Sequence, residues 1–182
     1  MKATGMIRRV DELGRIVIPK EIRKSLRMKE GTPIEIFMGT EDDIILKKYS
    51  PLKELNDYAM EAVEAIFASL EYPTLLVDKD EVLQSAGINK TEYINKPISS
   101  TIEKIILDRK VTLLNKLENA TMCEIIKEDN SEYVSQVIVP INASGDVLGA
   151  IILFSKEQGV VFKELEVKTL SVMANFLAKQ LE

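Results

Sequence analysis

Eleven aliphatic side chains between Ile7 and Leu46 need burial, in a segment too short to bury them by itself. Ile7, Val10, Leu13, Ile16, Val17 and Ile18 lie in its first half, and Ile34, Ile36, Ile44, Ile45 and Leu46 in its second. A short segment buries a smaller share of its surface than a larger domain does. Covalent staples are excluded: the chain has one cysteine, Cys123, and no histidine, so an internal disulfide and the usual zinc ligand sets are both out of reach. A second copy is the simplest source of cover, and a two-fold axis would place each exposed feature twice on one surface. Residues 1–50 are therefore expected to form an obligate, interleaved homodimer.

Charge sets the same segment apart. Seven side chains between Arg8 and Arg27 are lysine or arginine, although the formal net charge of the chain is −5. Residues 1–50 hold 11 Lys+Arg and 8 Asp+Glu, 11 − 8 = +3, while residues 51–182 hold 13 and 21, 13 − 21 = −8. Such asymmetry points to two parts with different partners, the basic one facing a polyanion. The plain alternative for any charge cluster is a solvated face. The seam falls at Tyr49-Ser50-Pro51, where Pro51 is preset for the first turn of a helix and Ser50 is placed to cap it. Two domains are expected, 1–50 and 51–182, the second opening with a connecting helix over 51–70.

Within the first domain, β-branched content predicts strands over 3–10 and 15–18, joined by a turn over 11–14 that ends in Gly14. Pro19 opens a short helix with Ile22 and Leu26 as an apolar pair and Lys20, Arg23, Lys24 and Arg27 on its other faces. Gly31-Thr32-Pro33 ends that segment, and strands follow over 34–38 and 44–48 around the acidic turn 39–43. The order is β-β-α-β-β. Apolar residues would make a dimer core and the arginines would line its outer face.

The stretches MKATGMIRRVDELGRIVIPKEIRKSL, GTPIEIF and ILKKYSP, in this order and register, closely resemble the swapped-hairpin DNA-binding domain of AbrB-type transition-state regulators of spore-forming bacteria. The resemblance covers nearly all of residues 1–50 and implies double-stranded DNA as partner of an intertwined dimer. It places Arg8, Arg15, Arg23 and Lys24 at the family's DNA-contacting positions, with Arg9 and Lys2 close by. Lys24 departs from the usual arginine: lysine keeps a phosphate contact and loses the planar fork that reads a base edge. Cations on a duplex release counterions and supply affinity, whereas specificity must come from base edges or from DNA shape.

Residues 51–182 read as an α+β domain. Helical spacing of Leu55, Tyr58, Ala59, Ala62, Ile66 and Leu70 supports the helix over 51–70, stopped by Tyr72-Pro73. Strands are predicted over 74–78, 82–86, 121–127, 133–141 and 147–155, with short helices near 90–95 and 100–117 and a last helix from Phe162. This order, a central antiparallel sheet with helices packed on it, resembles GAF domains, as does the run VLGAIILFSK. By that resemblance a mostly apolar pocket for an unidentified small molecule would lie over residues 84–117. In the last helix Val167, Leu170, Ala174, Leu177 and Leu181 form a coiled-coil seam for another subunit, with Phe162, Leu165, Thr169, Met173 and Phe176 as a second stripe for the domain's own sheet; both stripes could equally be one wide core face. If the seam is intermolecular, helices 51–70 and 162–182 would join dimers into a tetramer.

An enzyme finds little support. Without histidine there is no imidazole acid–base catalysis, no Gly-rich phosphate loop of the Walker type is present, and Asp78, Asp80 and Glu81 read as a solvated hairpin turn before a cation site. Cys123 reads as a buried thiol in a strand. No catalytic or metal-binding residue and no cofactor is expected. Because no apolar run reaches the ~18 residues a bilayer span needs, the expected location is cytoplasmic; a place on the nucleoid and in the forespore is what the resemblance implies. The function implied by the resemblance is an activator and repressor of sporulation genes. Its alternative is a DNA-binding antitoxin of the same fold, whose disordered tail would have to replace the strongly patterned residues 51–182.

Overall fold

The computed structural model describes residues 5–40 and 42–181. The chain divides into two compact units, one ending at Tyr49 and one beginning at Ser50.

In the first unit α1 is Lys20–Ser25, β1 is Ile34–Met38 and β2 is Ile44–Lys48. The two strands pair antiparallel from Ile34↔Lys48 to Met38↔Ile44, which is the hairpin expected from the sequence; Glu41 in its turn lies outside the described residues. The strands expected over 3–10 and 15–18 are not formed. Ala3 and Thr4 lie outside the described residues, and 5–10 and 15–19 carry no strand pairing. The turn between them does form, so the local chemistry is as read. A strand also needs a neighbour for its ladder, and none is supplied among the described residues.

The second unit is a sheet covered on both faces. Its elements are α2 (Pro51–Glu54), α3 (Asn56–Leu70), β3 (Thr74–Asp78), β4 (Val82–Ala86), α4 (Lys90–Tyr93), α5 (Ser100–Leu107), β5 (Thr112–Asn115), β6 (Ser135–Ala143), β7 (Asp146–Ser155) and α6 (Glu164–Lys179). All neighbours in the strand order β4-β3-β7-β6-β5 are antiparallel. One face packs under α2, α3 and α6 through Leu52, Val63, Ile66, Leu153, Leu170 and Leu177. The other packs under α4 and α5 through Leu75, Tyr93, Ile102, Ile106, Ile152 and Phe154.

Several expectations are corrected. The connecting helix is broken at Leu55, and Ser50 makes no capping bond: its hydroxyl donates to Asp78 Oδ2 at 3.0 Å. The helix predicted to run to 117 stops at Leu107, and residues 112–115 are the edge strand β5; the TLL apolar run is equally compatible with either state. Residues 121–127 form no strand. There Cys123 is half-buried in a loop, its amide and carbonyl held by the Gln136 side chain at 2.8 and 2.7 Å, and burial pushes its thiol pKa up. The turn carboxylates are not a free cluster either. Asp78 Oδ1 accepts from the amides of Asp80 and Glu81 (2.8 and 2.9 Å), and Lys53 Nζ pairs with Glu81 at 2.5 Å.

The stripes of the last helix divide differently from either expectation, although Phe162 and Met173 of the second stripe do pack in the unit's own core. Leu170, Ala174 and Leu177 of the expected intermolecular seam are buried on the unit's own sheet. Leu165 and Phe176 of the other stripe are exposed, together with Val172, and Leu165 and Val172 remain 66% and 69% exposed. Periodicity gives the width of an apolar face, and the sheet chooses which side of it is covered.

On the α4 and α5 side of the sheet a chain of polar side chains runs within an apolar shell. Tyr133 donates to Asp129 Oδ2 at 2.5 Å, so its partner at 2.9 Å, the Tyr93 hydroxyl, is the donor to Tyr133. Burial alone would raise the Asp129 pKa, but the bonds from Tyr133, Ser131 and Ile125 outweigh it and hold the carboxyl below its usual value of 3.8. A depressed carboxylate stabilises the fold above that value and loses the contribution as pH falls through its folded pKa. Tyr133→Phe is expected to lower stability by about 1.5 kcal/mol at neutral pH and to flatten the loss of stability on acidification. Urea melts of both proteins at neutral and acid pH check this; equal acid sensitivity would show that the pair is not coupled to folding.

Candidate nucleic-acid interface

The basic residues of the first unit sit on a short turn, a short helix and the chain between them. Asp11 organises the turn. Its Oδ1 accepts from the amides of Leu13 (2.9 Å) and Arg15 (2.8 Å), while the Gly14 amide donates to the Asp11 carbonyl at 3.0 Å. Gly14 has φ +74°, a left-handed conformation that glycine adopts without a steric cost. The second carboxylate oxygen takes Arg15 Nε at 2.8 Å, so the guanidinium is held at the tip of the turn. The amide of Arg15, then its guanidinium, keep the Asp11 carboxyl below the usual range. This organising role was missed in the sequence, although an aspartate three residues before a turn glycine is its signal.

Arg8 is exposed and donates from Nη1 to the Ile7 carbonyl at 3.1 Å. Arg23 leaves α1 backwards, its Nε donating to the Ile18 carbonyl at 3.2 Å, which ties the helix to the chain before Pro19. Arg9 and Lys24 are exposed, and Lys2 lies outside the described residues. Arg8, Arg9 and Arg15 thus flank one turn, and Arg23 and Lys24 share the following helix. Lys47 is placed differently, with Nζ 4.7 Å above the Phe37 ring.

Around these cations the apolar residues are uncovered. Ile7 is 86% exposed, Val17 73% and Met38 92%, and Val10, Leu13, Ile16, Ile36 and Ile44 are also exposed. For a single copy of the unit in water this is an unsatisfied surface, contiguous with the basic residues in sequence.

Comparison with known proteins accounts for both units. Residues 54–182 match the family described as stage V sporulation protein T C-terminal, transcription factor. Residues 7–54 match the antidote-toxin recognition MazE family of bacterial antitoxins. Stage V sporulation protein T of Bacillus subtilis is 43% identical over 182 residues, covering 100% of this chain and 99% of that protein. The chain belongs to the stage V sporulation protein T family. Its basic unit is similar to that of the transition state regulatory protein AbrB of the same organism, 55% identical over 51 residues, 28% of this chain and 52% of AbrB. The second unit has the GAF fold: the GAF domain of Acinetobacter phosphoenolpyruvate-protein phosphotransferase superposes with a TM-score of 0.58 at 15% identity, covering 74% of this chain and 84% of that one. Both resemblances drawn from the sequence, AbrB-like and GAF-like, are borne out. As a member of the stage V sporulation protein T family, the chain is a transcriptional regulator of sporulation, of a DNA-binding and oligomerising class. Nothing in that membership assigns it an enzymatic reaction.

Proposed function

We propose that two copies of the basic unit interleave into a dimer whose shared surface binds double-stranded DNA through Arg8, Arg9, Arg15, Arg23 and Lys24, with Lys2 beside them. The observation that carries this reading is the exposed apolar set of the first unit lying among its cations. A second copy would cover the former and double the latter, and would supply the missing ladder for residues 5–10 and 15–18. The antitoxin alternative has the same first unit but leaves unexplained a full-length match to a transcription factor. Binding to a promoter-length duplex is expected to fall steeply with salt, with a log–log slope of about −5 or steeper. A flat salt dependence would overturn the reading.

The GAF-like unit, residues 50–182, is proposed to regulate and to oligomerise. Support comes from the exposed stripe of α6 and from Tyr58 on α3, whose ring meets that of Phe176 edge to face at 6.4 Å. Helix pairs of two dimers joined through these faces would make a tetramer. Light scattering is expected to give a tetramer for the full chain and a dimer for Val172→Glu/Phe176→Glu; a tetramer in both would refute this surface. A small molecule is proposed to act on the α5 side of the sheet, where Ser85 Oγ is buried and has no hydrogen-bond partner among the described residues. Ser85 lies across from Leu75, so the ligand would be largely apolar with one polar group. Activation of some promoters and repression of others, in the forespore and on the nucleoid, completes the proposal.

A further inference from the structure

β5 is one edge of the five-stranded sheet. It pairs with β6 through Thr112↔Ile138 and Leu114↔Gln136, and the Lys116 amide continues that series by donating to the Val134 carbonyl at 2.9 Å. In an antiparallel ladder alternate residues bond the same neighbour. Thr112 and Leu114 therefore turn their peptide groups to β6, and Leu113 turns its amide and carbonyl outward. The next outward carbonyl, that of Asn115, is closed off by the Ala120 amide at 3.2 Å. The open part of the edge is thus centred on Leu113.

Two further features coincide there. Leu107, Val111, Leu113 and Leu117 are exposed, Leu117 at 65%. Residues 104–117 hold four cations, Lys104, Arg109, Lys110 and Lys116, against one acid, Asp108, a local 4 − 1 = +3 inside a unit of net −8. Strand alternation puts Leu113 on the sheet face of Val137 and Thr112 and Leu114 on the opposite face; Lys110 and Val111 lead into the strand, and Lys116, whose amide continues the ladder to Val134, opens the 3-10 turn that follows it.

Lysines on an edge strand ordinarily prevent self-association. Pairing β5 with a second β5 would bring Lys110 and Lys116 of one copy against those of the other, which disfavours that pairing. Edge protection alone leaves the exposed aliphatic residues without a purpose. The geometry points to a docking strand: β5 takes an extended, acidic segment of another protein as a sixth strand. Its carboxylates, at alternate positions, would face Lys110 and Lys116, and the apolar residues between them would cover Val111 and Leu113. Main-chain bonds to Leu113 would hold the strand, and the alternation would select it. This surface is independent of the basic unit and of the DNA-binding reading.

The test uses the full chain and two short fluorescent peptides, one alternating glutamate with valine and one alternating lysine with valine. Polarisation is expected to show about tenfold tighter binding of the acidic peptide, with the preference reversed in Lys110→Glu/Lys116→Glu. Slowed amide exchange at Leu113 on binding would accompany it, and DNA affinity would be unchanged by the double substitution. Equal or absent binding of the two peptides overturns the proposal. So does a preference that survives charge reversal, which would place the acidic peptide on the basic unit, or a loss of DNA affinity in the variant with peptide binding intact, which would make the patch a DNA contact.

Discussion

Arg8→Ala/Arg15→Ala is expected to weaken binding to a promoter-length duplex by about two orders of magnitude at low salt, and to make the log–log salt slope shallower by about four, since a dimer loses four cations. The size follows from where the two residues stand. Arg8 and Arg15 flank the 11–14 turn, both are exposed, and a two-fold axis would present both twice. Arg15 also braces the turn through Asp11, so a loss of binding could come from a loosened turn. Asp11→Ala separates the two effects, since it removes the brace and keeps every cation: binding retained there assigns the loss to the missing guanidinium, and binding lost there assigns it to the turn. The measurement is fluorescence polarisation over a salt series, with light scattering to show that the variant dimerises. Unchanged affinity and slope in Arg8→Ala/Arg15→Ala would identify these arginines as a solvated face and remove them from the DNA surface.

The largest stability effect is expected in the other unit, at a residue with no side chain. Gly149 lies in β7 opposite Asp78 of β3. A Cβ there would stand 2.0 Å from the Val77 carbonyl oxygen, 2.7 Å from Leu52 Cδ1 and 2.9 Å from Asp78 Cα. Two of the three are main-chain atoms of a central strand and cannot move aside without breaking the ladder. The third belongs to a fully buried leucine of the segment that leads into the unit. Gly149→Ala is therefore expected to destabilise residues 50–182 by about 3 kcal/mol or more. A urea midpoint by circular dichroism reads it directly, and a midpoint equal to that of the parent would show that the β3–β7 spacing yields to a methyl group.

Asp78 illustrates how tertiary contacts reassign a residue that its neighbours in sequence describe poorly. Flanked by Lys79, Asp80 and Glu81, it reads as one of several solvated turn carboxylates. In the fold it is buried, turns one oxygen to the amides of its own hairpin and offers the other to Ser50. Ser50 in turn leaves its helix uncapped. The neighbouring contacts Lys53 to Glu81 and Gln84 to Asn56 extend the same seam, fastening residues 50–56 along the β3–β4 hairpin. The partners Ser50 and Asp78, Lys53 and Glu81, and Asn56 and Gln84 each stand 28 positions apart, so no local pattern announces these three contacts.

What the sequence determined by itself was everything carried by short range and by composition. The charge division on either side of Tyr49, the hairpin of β1 and β2, the limits of β3 and β4, and the turn between β6 and β7 all depend on residues within a few positions of one another. The basic candidates could be read for the same reason, since lysine and arginine on a turn and a short helix are exposed whatever the rest of the chain does. Tertiary structure decided the remainder. It made β5 a strand because β6 offers a ladder to residues 112–115, and left 121–127 without one because Gln136 ties that loop by its side chain. It also covered one side of α6 and bared the other. An amphipathic period or an apolar run states only that burial is needed. Which surface provides it is settled by elements far away in the chain, and for Ile7, Val10, Leu13, Ile16 and Val17 no such surface is found among the described residues.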